Sequence, residues 1–143
     1  MFVKYMSIEG YDSEEEKSFT SYDYDPTWSE IEDAISNMEI DGVNGLYLSP
    51  EEDGNAGCMI IGGGESGKFV VAVEILLGDK CGWYTLINSS NSESNEEVTM
   101  MACTQVGIFP SRICVDLETV LKAAKTYVEL GICDPSLDWE KTY

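Results

Sequence analysis

A glycine-rich segment between two apolar runs constrains the fold of this chain more than any other feature. Residues 60–71 read IIGGGESGKFVV. Gly62, Gly67 and Lys68 match most of a nucleotide-binding P-loop, G-x-x-x-x-G-K, and the glycines at 62, 64 and 67 match the dinucleotide fingerprint G-x-G-x-x-G. The same glycines also suit a tight hairpin turn, which requires positive φ angles.

The residues that follow the glycines decide between these alternatives. A phosphate-binding loop leads into a helix whose first N–H groups hold the phosphates, whereas the residues after Lys68 read FVVAVEIL, which is typical of a strand. Phe69 stands where a P-loop has the Ser or Thr that binds magnesium, and the Glu65 carboxylate repels phosphate. We therefore predict a β-hairpin with the glycines in its turn, and no nucleotide cofactor.

Net charge limits the partners of the chain. There are 27 acidic and 8 basic residues, a formal net charge of −19. Nucleic acid and anionic membrane surfaces are not expected as partners, because contact with phosphates requires Lys and Arg. A basic protein or a cation is favoured, and a merely well-solvated surface is the alternative. Residues 1–55 carry 15 acids and 2 bases, and so we expect this part to face a basic partner.

The absence of histidine limits the chemistry, since histidine is the commonest general base and metal ligand. The cysteines form no C-x-x-C pair, so we expect reduced thiols, mostly buried, rather than disulfides or a zinc site. They are Cys58, Cys81, Cys103, Cys114 and Cys133. No cofactor, no metal and no catalytic residue is expected. An enzyme that uses a carboxylate or a cysteine is the alternative.

Length and hydropathy indicate a single domain over residues 1–143, of which 43% are hydrophobic. No apolar run reaches the roughly 20 residues of a membrane helix. The N-terminus lacks the basic-then-apolar pattern of a signal peptide, so we expect a cytoplasmic protein.

Two helices are predicted. The first follows Asp25, which we expect to cap it, and carries one apolar face. That face consists of Trp28, Ile31, Ile35 and Met38. The second helix follows the N-cap Asp116 and ends before Gly131.

The remaining apolar segments predict strands separated by short turns, which favours an antiparallel meander. These segments are residues 2–8, 45–49, 58–62, 68–76, 83–88 and 98–106. The predicted fold is therefore α+β, with an antiparallel sheet of about five to six strands and two main helices packed on it. Residues 10–25 are predicted to form an acidic loop.

Three runs of carboxylates lie in polar segments, at residues 14–16, 51–53 and 96–97. Paired carboxylates can act as acid and base, but nothing apolar surrounds these runs to raise a pKa. Their spacing does not fit an EF-hand loop, so calcium is the weaker alternative to solvated charge.

Tyrosines alternate with acids at residues 22–25, just before the first helix. Aromatic anchors beside carboxylates suit an interface with a basic protein; the alternative is that a tyrosine only covers the core where the helix begins. The polar segment 88–97 is a second candidate contact, and disorder is the alternative for it. We predict a partner-binding surface made of Glu14, Glu15, Glu16, Tyr22, Asp23, Tyr24, Asp25, Glu51, Glu52 and Asp53.

The order of three motifs resembles a known family. The first helix contains W-x-x-I-x-x-A-I, beginning at Trp28; the strands read MIIGGGESGKFVVAV; and the chain closes with AAKTYVELGICDPSLDWEKTY. Over roughly residues 26–140 this resembles the Imm-type immunity proteins of bacterial polymorphic-toxin systems. The similarity is to the first-numbered family, which is often paired with nucleic-acid deaminase toxins.

The resemblance implies a non-catalytic antitoxin that binds and blocks a cognate toxin, and it implies that Gly62, Gly63, Trp28 and Trp139 hold the fold. A toxin that acts on nucleic acid tends to have a basic cleft, which agrees with the acidic charge of this chain. The alternative is an acidic protein-binding adaptor without a toxin partner.

Overall fold

The computed structural model describes residues 1–143 as nine strands and two α-helices. The strands are β1 (Tyr5–Asp12), β2 (Lys17–Tyr24), β3 (Val43–Ser49), β4 (Cys58–Gly63), β5 (Phe69–Ile75), β6 (Gly82–Leu86), β7 (Glu97–Ala102), β8 (Gln105–Pro110) and β9 (Trp139–Lys141). The helices are α1 (Trp28–Ser36) and α2 (Leu117–Leu130). Neither helix is long and apolar enough to cross a membrane.

Seven strands form one antiparallel sheet in the order β2-β1-β3-β4-β5-β6-β9, and β7 pairs only with β8. The predicted α+β fold with an antiparallel sheet and two helices is confirmed. The sheet is larger than the five to six strands predicted, because β2 and the short C-terminal β9 extend its two edges.

The hydrophobic core lies between the two helices and one face of the sheet. Ile31 and Ile35 of α1 and the inner stripe of α2 are buried against alternate residues of the strands, such as Leu46 and Met59. Trp28 packs at the edge of this core, and the Lys125 ammonium lies 4.9 Å from the centroid of its ring. We call this face of the sheet the helix side.

The N-terminal cap of α1 differs from the prediction. Thr27, not Asp25, is the N-cap, and it forms a capping box with Glu30: the Thr27 Oγ1 accepts from the Glu30 N–H at 3.2 Å, and the Thr27 N–H donates to Glu30 Oε1 at 3.1 Å. Asp25 precedes the cap by two residues, in a left-handed conformation with φ 52°.

The predicted acidic loop over residues 10–25 is wrong, because these residues belong to a β-hairpin of β1 and β2. At its turn, Asp12 Oδ1 accepts from the N–H groups of Glu14 and Glu15 at 2.9 and 3.2 Å. Strand β2 is an exposed edge strand in which only Phe19 is half-buried. It therefore has no buried alternate positions that hydrophobic periodicity could detect.

The single strand predicted over residues 98–106 is also wrong. Cys103 and Thr104, with φ angles of 51° and 65°, form a two-residue turn that separates β7 from β8. Two consecutive left-handed residues match the twist of a hairpin. Neither residue is glycine or asparagine, so the sequence gives no turn signal here.

The glycine-rich segment forms a hairpin, as predicted. Gly63 and Gly64 have φ angles of 100° and 106°, the Gly64 N–H donates to the Lys68 carbonyl at 2.8 Å, and β5 follows directly. The turn of β7–β8 lies over Gly45 and Gly62, so the face of the sheet opposite the helices is covered at its centre. Only part of this second face is therefore available to a partner.

Candidate protein-binding surface

Pairing of β1 with its two neighbours gathers four tyrosines on the face of the sheet opposite the helices. Tyr5 lies opposite Tyr24 of β2, and Ser7 lies opposite both Tyr22 of β2 and Tyr47 of β3. Directly opposed residues of an antiparallel pair project to the same face. The ring centroid of Tyr5 is 6.0 Å from that of Tyr22, 5.5 Å from that of Tyr24 and 6.3 Å from that of Tyr47.

The four rings differ in exposure. Tyr5 is buried, whereas 58% of Tyr22 and 64% of Tyr24 is exposed. The alternative in which Tyr22 or Tyr24 covers the core at the start of the helix does not hold, since both project from the opposite face. An exposed aromatic pair supported by a buried third ring has the form of an interface anchor.

Carboxylates flank these rings. The neighbouring Glu52 carboxylate, together with lost hydration, raises the pKa of the Tyr24 hydroxyl. Burial, followed by the proximity of Tyr22 and Glu52, raises the pKa of Tyr5. Glu9 and Glu52 also line a depression of about 360 Å³ beside Tyr5 and Tyr47. Tyr5, Tyr22, Tyr24, Tyr47, Glu9 and Glu52 together are called the tyrosine surface below.

The other predicted residues near this surface lie either in the loop after β3 or on the helix side of the sheet. Glu51 and Asp53 are exposed in the loop after β3, next to Glu52, and the Asp53 carboxylate accepts from the N–H of Asn55 at 3.1 Å. Asp23 lies opposite Met6, which is a core residue, and so it projects to the helix side. Strand alternation therefore separates Asp23 from Tyr22 and Tyr24.

The acidic run 14–16 lies at the far end of the same hairpin. Strand β1 has eight residues, so its length places this turn about 23 Å from Tyr5 at ~3.3 Å per residue. Within the turn, Glu15 forms an exposed ion pair with Lys17 at 2.8 Å. The run and the tyrosine surface can contact one partner only if that partner spans the length of the hairpin.

Three members of the tyrosine surface were missed by sequence analysis: Glu9, Tyr5 and Tyr47. The last two lie in predicted strands, but their strands look apolar and gave no sign of an exposed function. What identifies them is the register of β1 with β2 and β3, which shows that these side chains share one face. The alternation of residues within a single strand does not reveal this register.

Three of the five thiols are poorly suited to nucleophilic chemistry. Burial is the main cause that raises the pKa of Cys58, Cys103 and Cys133 to about 11 in each case. Thiols with such pKa values stay protonated near neutral pH, whereas the thiolate is the nucleophile. No group of three or more Cys, Asp and Glu residues is arranged to hold a metal ion.

The glycines of the resemblance motif have a packing role. A Cβ atom on Gly62 would lie 3.0 Å from the Ala102 Cβ and 3.3 Å from the Cys103 sulfur, and one on Gly63 would lie 3.1 Å from the Met100 sulfur. These glycines therefore allow β7 to lie against β4.

Comparison with known proteins gives one family match. A family model described as "Immunity protein Imm1" matches residues 24–141, which is more than half of the chain. The matched region begins at the last residue of β2 and extends to the end of β9. Searches of curated proteins and of solved structures gave no match.

Proposed function

The chain belongs to the Imm1 family of immunity proteins, and we propose that it neutralises its cognate toxin by binding it through the tyrosine surface. The observation that carries this proposal is the exposure of Tyr22 and Tyr24 beside Glu52, on the face of the sheet that the helices leave free. Family membership makes the chain an immunity protein against a toxin; the surface and the toxin class are our proposal.

The charge of the chain supports the proposed toxin class. Residues 1–55 hold 15 of the 27 acidic residues and only 2 of the 8 basic ones. A toxin that acts on nucleic acid, such as a deaminase, needs a basic cleft for its substrate. An acidic protein is attracted to such a cleft over several ångströms and competes with the substrate for it.

Glu52, beside the two exposed tyrosines, and the acidic run 14–16 have different roles in this proposal. Tyr22 and Tyr24 bury apolar area against the toxin, while Glu52 pairs with a Lys or Arg that would otherwise bind phosphate. The run 14–16 lies at the far end of the hairpin from these rings, and in this proposal it acts on the association rate through its charge.

Binding of purified chain to the toxin domain encoded beside its gene tests the anchors. The double variant Tyr22→Ala/Tyr24→Ala is expected to raise the Kd by at least 100-fold, since two anchor residues each contribute about 2 kcal/mol or more. Tyr143→Ala is the matched control, because Tyr143 is 86% exposed and lies outside the surface. Equal effects of the two changes would overturn the proposed surface.

Association kinetics at low and high salt test the acidic run. Replacement of Glu14, Glu15 and Glu16 by Gln should lower the association rate constant at low salt and leave the dissociation rate constant nearly unchanged. The control carries the same change in net charge on the helices, Glu32→Gln/Asp33→Asn/Glu118→Gln. If the control slows association equally, net charge alone steers the toxin and the run has no special role.

A further inference from the structure

A cavity of about 800 Å³ lies on the helix side of the sheet, beyond the C-terminal end of α2. The residues after α2, 131–135, form one wall, and Ile75 of β5, Tyr84 of β6 and Trp139 of β9 form another. The tyrosine surface lies on the opposite face of the sheet. The cavity therefore belongs to a different part of the molecule from the proposed toxin contact.

The wall of the cavity is mainly apolar and remains open to solvent. Leu77 is 82% exposed and Ile132 is 44% exposed, and both line the cavity together with Phe2 and Leu76. Large aliphatic side chains this exposed lose apolar burial that folding normally provides. A volume of this size lies within the range of small-molecule sites.

Tyr127 of α2 also lines the cavity, and it is unusual because its hydroxyl is buried without a hydrogen-bond partner. It is 1% exposed and packs edge-on against Phe2 at 5.6 Å between ring centroids, yet its hydroxyl has no hydrogen-bond partner within the protein. Buried hydroxyls nearly always have a partner, since an unmade hydrogen bond costs free energy. Burial also raises the pKa of Tyr127, so the hydroxyl keeps its proton and can donate it.

The charges of the wall nearly cancel. Asp134 is already engaged, because its carboxylate accepts from the Ser136 hydroxyl and from the Thr126 hydroxyl, each at 2.6 Å. The wall holds three acids and two bases, a formal charge of −1: Glu74, Asp79, Asp134, Lys80 and Lys141. In a chain with a net charge of −19, a site this close to neutral favours an uncharged ligand over a cation.

We propose that this cavity is a binding site for a small, uncharged, apolar molecule that carries one hydrogen-bonding oxygen, and that this oxygen pairs with the Tyr127 hydroxyl. The apolar body of the ligand covers Leu77 and Ile132, and its oxygen supplies the partner that the protein lacks. The site does not depend on the toxin, and so it can be tested on the chain alone.

Three naphthalene probes of similar shape separate the contributions of apolar contact, hydrogen bonding and charge to binding. They are 1-naphthol, 1-methylnaphthalene and 1-naphthoate. Titration followed by NMR is expected to give one-to-one binding, with 1-naphthol at least five-fold tighter than 1-methylnaphthalene, because of these two only naphthol can form a hydrogen bond with the Tyr127 hydroxyl. Naphthoate should bind more weakly than naphthol. Tighter binding of naphthoate would overturn the proposal, since it would show an anion site at Lys80 and Lys141.

The variant Tyr127→Phe tests the hydrogen bond directly. It should remove the five-fold difference by weakening naphthol, with the affinity of methylnaphthalene unchanged. A difference that persists in this variant would overturn the role of Tyr127. A second pair of variants does not disturb the core: Leu77→Ser should weaken all three probes, and Val106→Ser, at a 68% exposed position of β8, should weaken none. If Leu77→Ser and Val106→Ser changed the affinity for the probes equally, the probes would bind outside the cavity.

Discussion

Gly45 of β3 lies directly beneath Cys103, so that a Cβ atom on Gly45 would approach the Cys103 Cα to 3.0 Å. The Cys103 N–H donates to the Asn44 carbonyl at 3.0 Å, and the Thr104 N–H donates to the Asn44 Oδ1 at 2.8 Å. Contact between the two backbones at Gly45 thus holds the β7–β8 turn on the sheet. The same contact covers the centre of that face, next to the tyrosine surface.

Gly45→Ala is predicted to lower the free energy of unfolding by about 2 kcal/mol, because the added methyl group meets backbone that cannot rotate away. Hydrogen exchange of the Cys103 and Thr104 amides should become faster in this variant. Gly67→Ala is the control: no atom lies within 4 Å of its added methyl group, and only its φ of 70° opposes the change. Faster exchange at Cys103 in the control as well would contradict the proposed contact.

Thr27→Ala is predicted to lower the free energy of unfolding by about 1 kcal/mol, since it removes the acceptor for the Glu30 N–H. Asp25→Asn should change it by no more than about 0.5 kcal/mol, because Asp25 makes no cap and asparagine tolerates φ values near 52°. Urea denaturation of both variants measures the difference. A larger loss in Asp25→Asn would mean that Asp25 stabilises the helix after all.

The Asp134 carboxylate is predicted to stabilise the folded protein at neutral pH, and this contribution is predicted to be lost in acid. Burial raises the pKa of its carboxyl group, but hydrogen bonds from Ser136 and Thr126 outweigh burial and lower it below 3.8. A lowered folded-state pKa contributes stability above the unfolded-state pKa, and this contribution is lost as the pH falls from about 4 through the folded-state pKa.

Asp134→Asn should therefore be less stable than the parent chain at pH 7, and the difference should shrink between pH 4 and pH 2. Urea denaturation across this range measures it. Asp33→Asn on α1 is the matched control and should follow the parent chain throughout. A constant difference between Asp134→Asn and the parent would show that the carboxylate is not preferentially stabilised in the folded state.

Tyr127→Phe is predicted to raise the free energy of unfolding by about 1 kcal/mol, because it removes a buried hydroxyl that has no partner. The opposite sign is expected for Tyr84→Phe, whose hydroxyl donates to the Lys80 carbonyl at 2.7 Å. Thermal and urea denaturation should show that the two substitutions change the free energy of unfolding in opposite directions. Destabilisation by Tyr127→Phe would indicate that a bound molecule already satisfies this hydroxyl.

Elements with strong local signals were predictable. The glycine hairpin follows from positive φ angles that only glycine adopts readily and from the β-branched run after it. Helix α2 follows from its N-cap Asp116, whose side chain accepts from the Thr119 N–H at 2.9 Å, and from Gly131 in the left-handed conformation at its end. These signals are local, because each depends on residues within one or two turns of chain.

The candidate site was only partly predictable. Sequence analysis identified Tyr22, Tyr24 and Glu52 from composition, but it also included Asp23, which the structure directs to the other face. It missed Tyr5 and Tyr47 altogether. Strand β2 was read as a loop because an edge strand exposed on both faces has no pattern of burial for its sequence to record.

The sequence by itself determined the acidic charge, the two helices, the glycine hairpin and the α+β class, because these depend on composition, short-range caps and periodicity. The tertiary structure alone decided which tyrosines meet, which carboxylates face them and where the unpartnered Tyr127 hydroxyl lies. The physical reason is that these relationships depend on the register between strands and on the packing of α2 against the sheet. Both are set by contacts between residues far apart in the chain.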